Sequence, residues 1–589
     1  MRGPAAVALV AFSTLSEAQL TARVSVTSAG LEAQGGSFEA SISADSSVVA
    51  FSSDAANLVP GDTNGLRDVF VRDLNGAATE LASGAHGGGP ANGPSHGPVL
   101  SRSGQIVAFV SAATNLVAGG SVGASNVFVY DRAQSTTQLV SGGLPGIGVS
   151  AACDEVAISA NARFVAFRSL ANDLVAGDTN PGSDVFVYDR SLGTLELASV
   201  DSSGQQPQGE SSWPSLSDDG RYIALESSGA LASGGCSCPT DIYVRDRATG
   251  VVICVSVPNG GAPPNGYSYR PSISGNGQFV AFLSHATNMT VDSLLASENV
   301  FLREIASNRT KLISRSSYSA VNGDCGSASV SYDGRYVAFD TRATNITLAD
   351  TSADWDIYVR DRWADVTVIA SLSQAGLPVD GDAGVLPARF VSSDGQTVVF
   401  VSTHPAFVPS DLNGASDAFI HGRGIPPAWL LCFGDGSLGT CPCGNAGGYG
   451  RGCENSSGSG GAMLFRTGTS HLSFDSLALR VHGEPANVFN FFLQADVPTA
   501  PVAFGDGFLC ISGHLVRLYT GFAVNDSIVR PGPSDAPVSM RAAALGSPIP
   551  MGSTRLYQVL YRDPVDSFCP APSGANFNLT QALALVWGP

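Results

Sequence analysis

Four short acidic stretches are the first places in this sequence where side-chain type and spacing could do chemistry. Asp62-Thr63-Asn64 with Asp68, Asp178-Thr179-Asn180 with Asp184, Asp350-Thr351-Ser352 with Asp356, and Asp411-Leu412-Asn413 with Asp417 each set oxygen-bearing side chains at first, third and seventh positions. Ca²⁺ takes roughly six to eight oxygen ligands and accepts loops of this kind. Ca²⁺ is therefore the one cofactor these residues suggest. No glutamate stands at the twelfth position of any of the four, where an EF-hand loop needs one. Asx turns would select the same residues for backbone hydrogen bonds alone, so both readings stay open.

Catalytic motifs are sparse. Gly119-Gly120-Ser121-Val122-Gly123 matches G-x-S-x-G, but it lies in a loop between β segments, whereas a nucleophile elbow joins a strand to a helix. The eight histidines form no H-E-x-x-H, so a helical zinc site has no basis in the sequence. Carboxylates that converge only in three dimensions are invisible to a motif search, which keeps a secreted hydrolase or lyase with a carboxylate site at a channel mouth as the alternative. Large aromatic and arginine side chains anchor many interfaces, and Trp213, Tyr267, Tyr269, Arg270, Tyr318 and Trp355 are the ligand-binding candidates.

The elements that must position these residues repeat. SVVAF, QIVAF, RFVAF, RYIAL, QFVAF, RYVAF and QTVVF end at Phe51, Phe109, Phe167, Leu225, Phe282, Phe339 and Phe400, in steps of 58, 58, 58, 57, 57 and 61 residues. A second string keeps pace, from Asp68-Val69-Phe70-Val71-Arg72-Asp73 to Asp417-Ala418-Phe419-Ile420. Each unit reads as four strands: a short one ending in Leu/Ile/Val-Ser, a tight turn, the VAF run, the DVFVRD run, and a last one such as Thr79-Glu80-Leu81. Continuous apolar runs suit strands covered on both faces, and four antiparallel strands repeated radially make a β-propeller. The seventh unit lacks a last strand, while Ala22-Arg23-Val24-Ser25-Val26 stands unpaired at the front. We expect that segment to close the ring, with Arg23 to Ser28 beside Asp417 to Ile420, which removes an open edge. Second-to-third and fourth-to-first connections then share one face and are long, and long loops are where binding residues usually sit.

The string SYDGRYVAFDTRATN…DIYVRDR is similar to the TolB-like (WD40-like) propeller repeats of bacterial periplasmic and secreted proteins, over residues 22 to 423. The resemblance implies protein or peptide binding, or a non-catalytic domain of a peptidase, and no one function.

Pro426-Pro427 ends the repeat, and the remainder carries Cys432, Cys441, Cys443, Cys453, Cys510 and Cys569. Six cysteines in an exported domain predict disulfides whose pairing the sequence leaves open. The compact Cys441-Pro442-Cys443 lacks the paired spacing of a zinc ribbon. The stretch CFGDGSLGTCPCGNAGGYGRGCENS resembles a Cys/Gly-rich C-terminal module of large secreted bacterial proteins. Strand-like runs such as FNLTQALALVW predict a β-sandwich there. In the propeller, Cys236, Cys238 and Cys254 are near enough in sequence for a local bridge.

The predicted fold is thus all-β: a signal peptide at 1–18, a seven-bladed propeller at 19–425, and a small disulfide-rich, β-sandwich-like domain at 426–589. Arg2, the apolar Pro4 to Phe12 and Ser16-Glu17-Ala18 have the form of an export signal, and nothing reads as a membrane span. A net charge of −19 with a single lysine, Lys311, argues against nucleic acid. The expected function is that of an extracytoplasmic, non-catalytic propeller that binds a protein, peptide or glycan through its long-loop face.

Overall fold

The two repeated strings form the middle strands of each sheet. The computed structural model describes residues 20–587 apart from 122–124, 143–150, 233–237, 261, 293–296, 317–318, 348–349, 351, 364, 375–376, 385–389, 394, 409–410, 423–428, 432–440, 443–444, 446, 448–451, 457–458, 460, 468–471, 473–474, 476, 525–526, 533, 552 and 564–576. The proposed signal peptide lies outside the described residues. Ala18–Gly424 forms one compact unit and Ile425–Pro589 belongs to a second.

In the first unit seven four-stranded antiparallel sheets follow one another. The first blade is Ser37–Ile42, Val48–Ser53, Asp68–Asp73 and Ala78–Leu81, paired in chain order. Blades two to six repeat this from Ser95, Cys153, Ser211, Ser268 and Cys325. VAF and DVFVRD strands pair in register, so their aromatic residues stack cross-strand: Phe51 on Phe70 at 6.0 Å, Phe167 on Phe186 at 5.8 Å, Phe400 on Phe419 at 5.5 Å. Each such ring is fully buried between blades, where burial stabilises by about 2–3 kcal/mol per side chain. Between first and second strands, Gly220, Gly277 and Gly334 take positive φ, and a Cβ there would run into Phe164, Tyr222 and Phe279 of the preceding blade. Glycine is needed at these turns for the backbone and for the close approach alike.

The ring closes through the N-terminal strand, three residues earlier than expected. Leu20–Arg23 pairs antiparallel with Asp417–Gly422, Leu20 opposite Gly422 and Arg23 opposite Phe419. The reason lies one step beyond the strand. In every blade an Asp or Asn at the head of the third strand accepts a hydrogen bond from a serine just past the fourth: Ser83 to Asp68 at 2.6 Å, Ser141 to Asn126 at 3.0 Å, Ser199 to Asp184 at 2.6 Å, Ser256 to Asp241 at 2.8 Å, Ser314 to Asn299 at 3.1 Å, and Ser371 to Asp356 at 2.6 Å. Ser25 does the same for Asp417 at 2.6 Å. Ser25 therefore lies past the strand and not at its middle, and Val26 has already left to bridge Glu32.

The second unit is a β-sandwich. One sheet runs Trp429–Leu431, Ala582–Val586, Thr554–Arg562, Phe489–Ala495, Val516–Phe522, with Phe577–Leu579 also on Thr554–Arg562. The other joins Met463–Thr467, Ala478–His482 and Ser527–Arg530. Leu464, Leu479, Val481 and Ile528 from the small sheet share a core with Phe492, Tyr557, Val559, Leu583 and Trp587 from the large one. A hairpin, Val497–Phe504 and Gly507–Ser512, and one helix, Val538–Ala544, complete it. Cys441 and Cys453 form a disulfide, Cα atoms 6.0 Å apart, and Cys510 is disulfide-bonded as well. Cys432, Cys443 and Cys569 lie outside the described residues. In the propeller Cys254 is disulfide-bonded, but Cys238 keeps its thiol and donates it to the Pro264 carbonyl at 3.2 Å. Cys238 therefore takes no part in a local bridge. No helix among the described residues is long and apolar enough to cross a membrane.

Two outcomes are expected. Ser25→Ala leaves the buried Asp417 without its hydroxyl partner and should cost about 1–3 kcal/mol, while removal of residues up to Ser25 should lower the propeller's melting temperature further. An unchanged Tm in the truncated protein would refute the closure. The second concerns acid. Burial pushes Asp184, Asp241 and Asp417 up to about 6 and Asp356 up to about 7. Unfolded aspartates titrate near ~3.9, so between there and neutrality the folded chain holds more protons and stability falls as pH rises. Calorimetry in chelator should show Tm increasing from pH 8 to pH 5. A flat or falling Tm over that interval would show that these aspartates are ionised in the fold.

Candidate functional site

The innermost strands of blades one to six carry a β-bulge. In blades one to six the register slips between its second and fifth residues, except that in blade six it slips from the first to the fourth. The third residue takes positive φ in five blades: Glu39, Gly97, Glu155, Trp213 and Arg270. Such backbone is uncommon for non-glycine residues and costs about 1–3 kcal/mol where it persists. Bulges re-aim side chains, and here the positive-φ slot recurs at the same position of the repeat in five blades.

Carboxylates satisfy the backbone that the bulge leaves unpaired. Glu39 Oε2 accepts from Gly97 N of the next blade at 2.8 Å, Glu155 Oε2 from Trp213 N at 2.6 Å, and Glu226 Oε2 from Arg270 N at 3.0 Å. In blade six Asp340 Oδ1 accepts from Gly326 N at 3.1 Å and Ser327 N at 2.5 Å. Burial pushes Glu155 up to about 7 and Asp340 up to about 6, and it raises Glu226 as well. Asp154 and Arg168 form an ion pair beside them at 3.0 Å. Trp213 and Arg270 also line, with Val99, Val156, Pro214, Pro271 and Ser329, a cavity of about 90 Å³.

Beside these carboxylates, blades four to six present aromatic and cationic groups. Arg270 stacks over the Trp213 ring at 5.2 Å and donates through Nη1 to Gly326 O at 2.7 Å. Trp355 lies against Gly326, and Arg342 covers the Trp355 ring at 5.0 Å. On blade five Tyr267, 45% exposed, packs on His285 at 4.2 Å. His285 Nε2 lies 3.1 Å from Glu298, whose carboxylate also accepts the Tyr269 hydroxyl. Of the sequence candidates, Trp213, Tyr269, Arg270 and Trp355 are thus brought into one arc with Tyr267 beside it. Trp213, Tyr269 and Arg270 sit on first strands and are half-buried, not on exposed loops as expected; Trp213 and Arg270 occupy the positive-φ slot of the bulge, and Tyr269 precedes it. Tyr318 lies outside the described residues. Glu39, Glu155, Glu226, Asp340 and Arg342 were missed. Their signal was position within the repeat, which becomes visible only once the bulge is known.

The four acidic loops behave differently from one another. Asn64, Asn180 and Asn413 close Asx turns, their Oδ1 accepting from Leu66 N at 2.9 Å, Gly182 N at 2.8 Å and Ala415 N at 2.6 Å. Asn64 Nδ2 donates to Asp68 at 2.7 Å. Gln206 Nε2 bridges Asp178 at 2.9 Å and Asp184 at 2.8 Å. The Tyr358 hydroxyl donates to Asp350, whose other oxygen accepts from Ser352 N at 3.2 Å. In the last loop Arg23 lies among Glu32 at 2.7 Å, Asp417 at 3.0 Å and Asp411 at 3.7 Å. A neutral or cationic donor of the chain thus stands beside the paired acids in each.

No family model and no curated protein matches the chain. Among solved structures it is similar to TolB from Acinetobacter baumannii, at 13% identity over 61% of this chain and 76% of that one, with a TM-score of 0.30. It is also similar to the β-propeller domain of the Trilobed protease from Pyrococcus furiosus, at 11% identity over 62% and 91% with a TM-score of 0.38. Pyrococcus horikoshii acylaminoacyl peptidase matches at 10% identity over 77% of this chain and 59% of its own, again with a TM-score of 0.38.

Proposed function

We propose that the propeller is an extracytoplasmic binding scaffold that holds a peptide segment of a protein partner across the channel mouth on its long-loop face. The observation that carries this is the mixed rim: Trp213, Arg270, Trp355 and Arg342 on blades four to six stand with Glu39, Glu155 and Glu226, two of which accept from the Trp213 and Arg270 amides. Aromatic rings give an extended peptide area to bury at small entropic cost. Charges of both signs on the rim complement a chain that carries its own dipole and end charges. The mouth carboxylates that face the neighbouring blade each give an oxygen to a backbone amide, which supports a positioning role for them over a catalytic one. The export-like start of the sequence and the Cys441–Cys453 disulfide support a compartment outside the cytoplasm, where disulfides persist.

A peptide library panned against the intact protein should return binders that compete with one another. Trp213→Ala and Tyr267→Ala should each weaken a selected peptide by about 2 kcal/mol if they are anchors, and Thr249→Ala in the opposite, short-turn face should leave it unchanged. Loss of binding with the Thr249 variant and retention with the Trp213 and Tyr267 variants would place the site on the other face.

A further inference from the structure

The second unit carries a concave site of its own. Phe489, Phe491, Arg517, Thr520 and Arg541 line a cavity of about 370 Å³ beside the edge strand Val516–Phe522. That is within the range of roughly 300–1,000 Å³ typical of small-ligand pockets, which combine aromatic walls with a few placed polar groups. Phe489 meets Phe491 edge-on at 5.1 Å and Phe522 at 4.9 Å, and Phe522 is 66% exposed.

The polar groups are cationic and poised. Arg517 lies over the Phe491 ring at 5.3 Å, a contact that orients the guanidinium plane without consuming its N–H donors. Arg541 is fixed by Nε, which donates to Leu518 O at 2.9 Å. Among the described residues neither arginine has a carboxylate in ion-pair reach, and the nearby Asp535 is held by Arg530 at 3.6 Å. From residue 426 onward the sequence has ten acids and eight arginines, so nearly all of the net −19 belongs to the propeller. An anion can approach this unit at little electrostatic cost.

Two carbonyls of the edge strand are already occupied, Leu518 O by Arg541 and Thr520 O by Arg530 Nε at 3.0 Å, which works against a peptide adding there as a further strand. What remains is ring surface, two forked guanidinium groups and the Thr520 hydroxyl. A carboxylated sugar ring matches all three, since its carboxylate takes paired N–H donors, its C–H face lies on the electron-rich face of a phenyl ring, and its hydroxyls reach Thr520. We propose that this cleft binds uronic-acid-containing oligosaccharides.

The test is titration calorimetry of the full chain with short oligogalacturonates and oligoglucuronates, their methyl esters, and a peptide ending in a free carboxylate after an aromatic residue. Binding of an acidic oligosaccharide is expected, with its methyl ester at least about tenfold weaker, the loss of a charge-assisted pair being about 1.4 kcal/mol or more. Arg517→Gln, an exposed change that should leave Tm unaltered, should weaken binding by a similar factor, and Phe491→Leu should weaken it as well. Trp213→Ala in the propeller should have no effect. Equal affinity for acid and ester, insensitivity to Arg517→Gln, capture of the peptide in place of the sugars, or no heat with either uronate at millimolar concentration would each overturn the proposal.

Discussion

The hydrogen bond between a buried Asp or Asn at the head of each third strand and a serine beyond each fourth is the interaction on which the ring depends. A carboxylate or amide in that position is out of water and would be costly unpaired. The serine hydroxyl satisfies it, and the same oxygen accepts the next backbone amide of the third strand, as Ser83 does for Val69 N at 2.9 Å and Ser25 for Ala418 N at 3.2 Å. Three groups are closed by one hydroxyl. Because a strand that slips by one residue sends its side chains to the opposite face, the lock also sets the register of the outer strand. In the seventh blade it does so across 392 residues of sequence, and this makes a circle out of a row of sheets.

Closure in turn decides what the inner strands can present. Each first strand is held between its own second strand and the blades on either side, and its bulge falls between the second and fifth residues in blades one to five. The backbone there is nearly invariant from blade to blade while the side chain is not: Glu39, Gly97, Glu155, Trp213 and Arg270 occupy the same slot. Architecture and function are thereby separated. The amides at the bulge are met by carboxylates that reach across blades, and the same carboxylates bring acidity to the mouth.

The propeller was legible because two motifs recur seven times, and apolar strand runs with turn glycines such as Gly220 leave little choice of element. The closing strand was legible in kind but not in register. Val24-Ser25 matches Val140-Ser141, and aligning those serines would have placed the strand at Leu20–Arg23. What was read as the strand's centre is its exit. The mouth was legible only in part. Trp213 and Arg270 drew attention as large side chains, yet nothing in a sequence announces a positive φ at a glutamate, so Glu39 and Glu155 passed as ordinary strand acids. In the second unit, FNLTQALALVW read as one strand is two, Phe577–Leu579 and Ala582–Val586, because Thr580 and Gln581 turn inward to hydrogen-bond buried backbone.

The four acidic loops show how far spacing alone can carry a chemical argument. The repeat places an Asp at the head of the third strand for the serine lock and an Asx turn a few residues before it, and both features fall within the shared intervals between acids. The second feature follows from a long connection that must reverse direction with its backbone amides satisfied. Two acids brought together in this way still repel, and the repulsion has a different answer in each blade: the Asn64 amide, the Gln206 amide, the Tyr358 hydroxyl and the Arg23 guanidinium. The answer supplied by Arg23 couples the acidic loop of the seventh blade to the N-terminal strand. The charge that neutralises Glu32, Asp411 and Asp417 is therefore delivered by the same segment whose Ser25 completes the lock, and electrostatics and strand pairing at the closure stand or fall together.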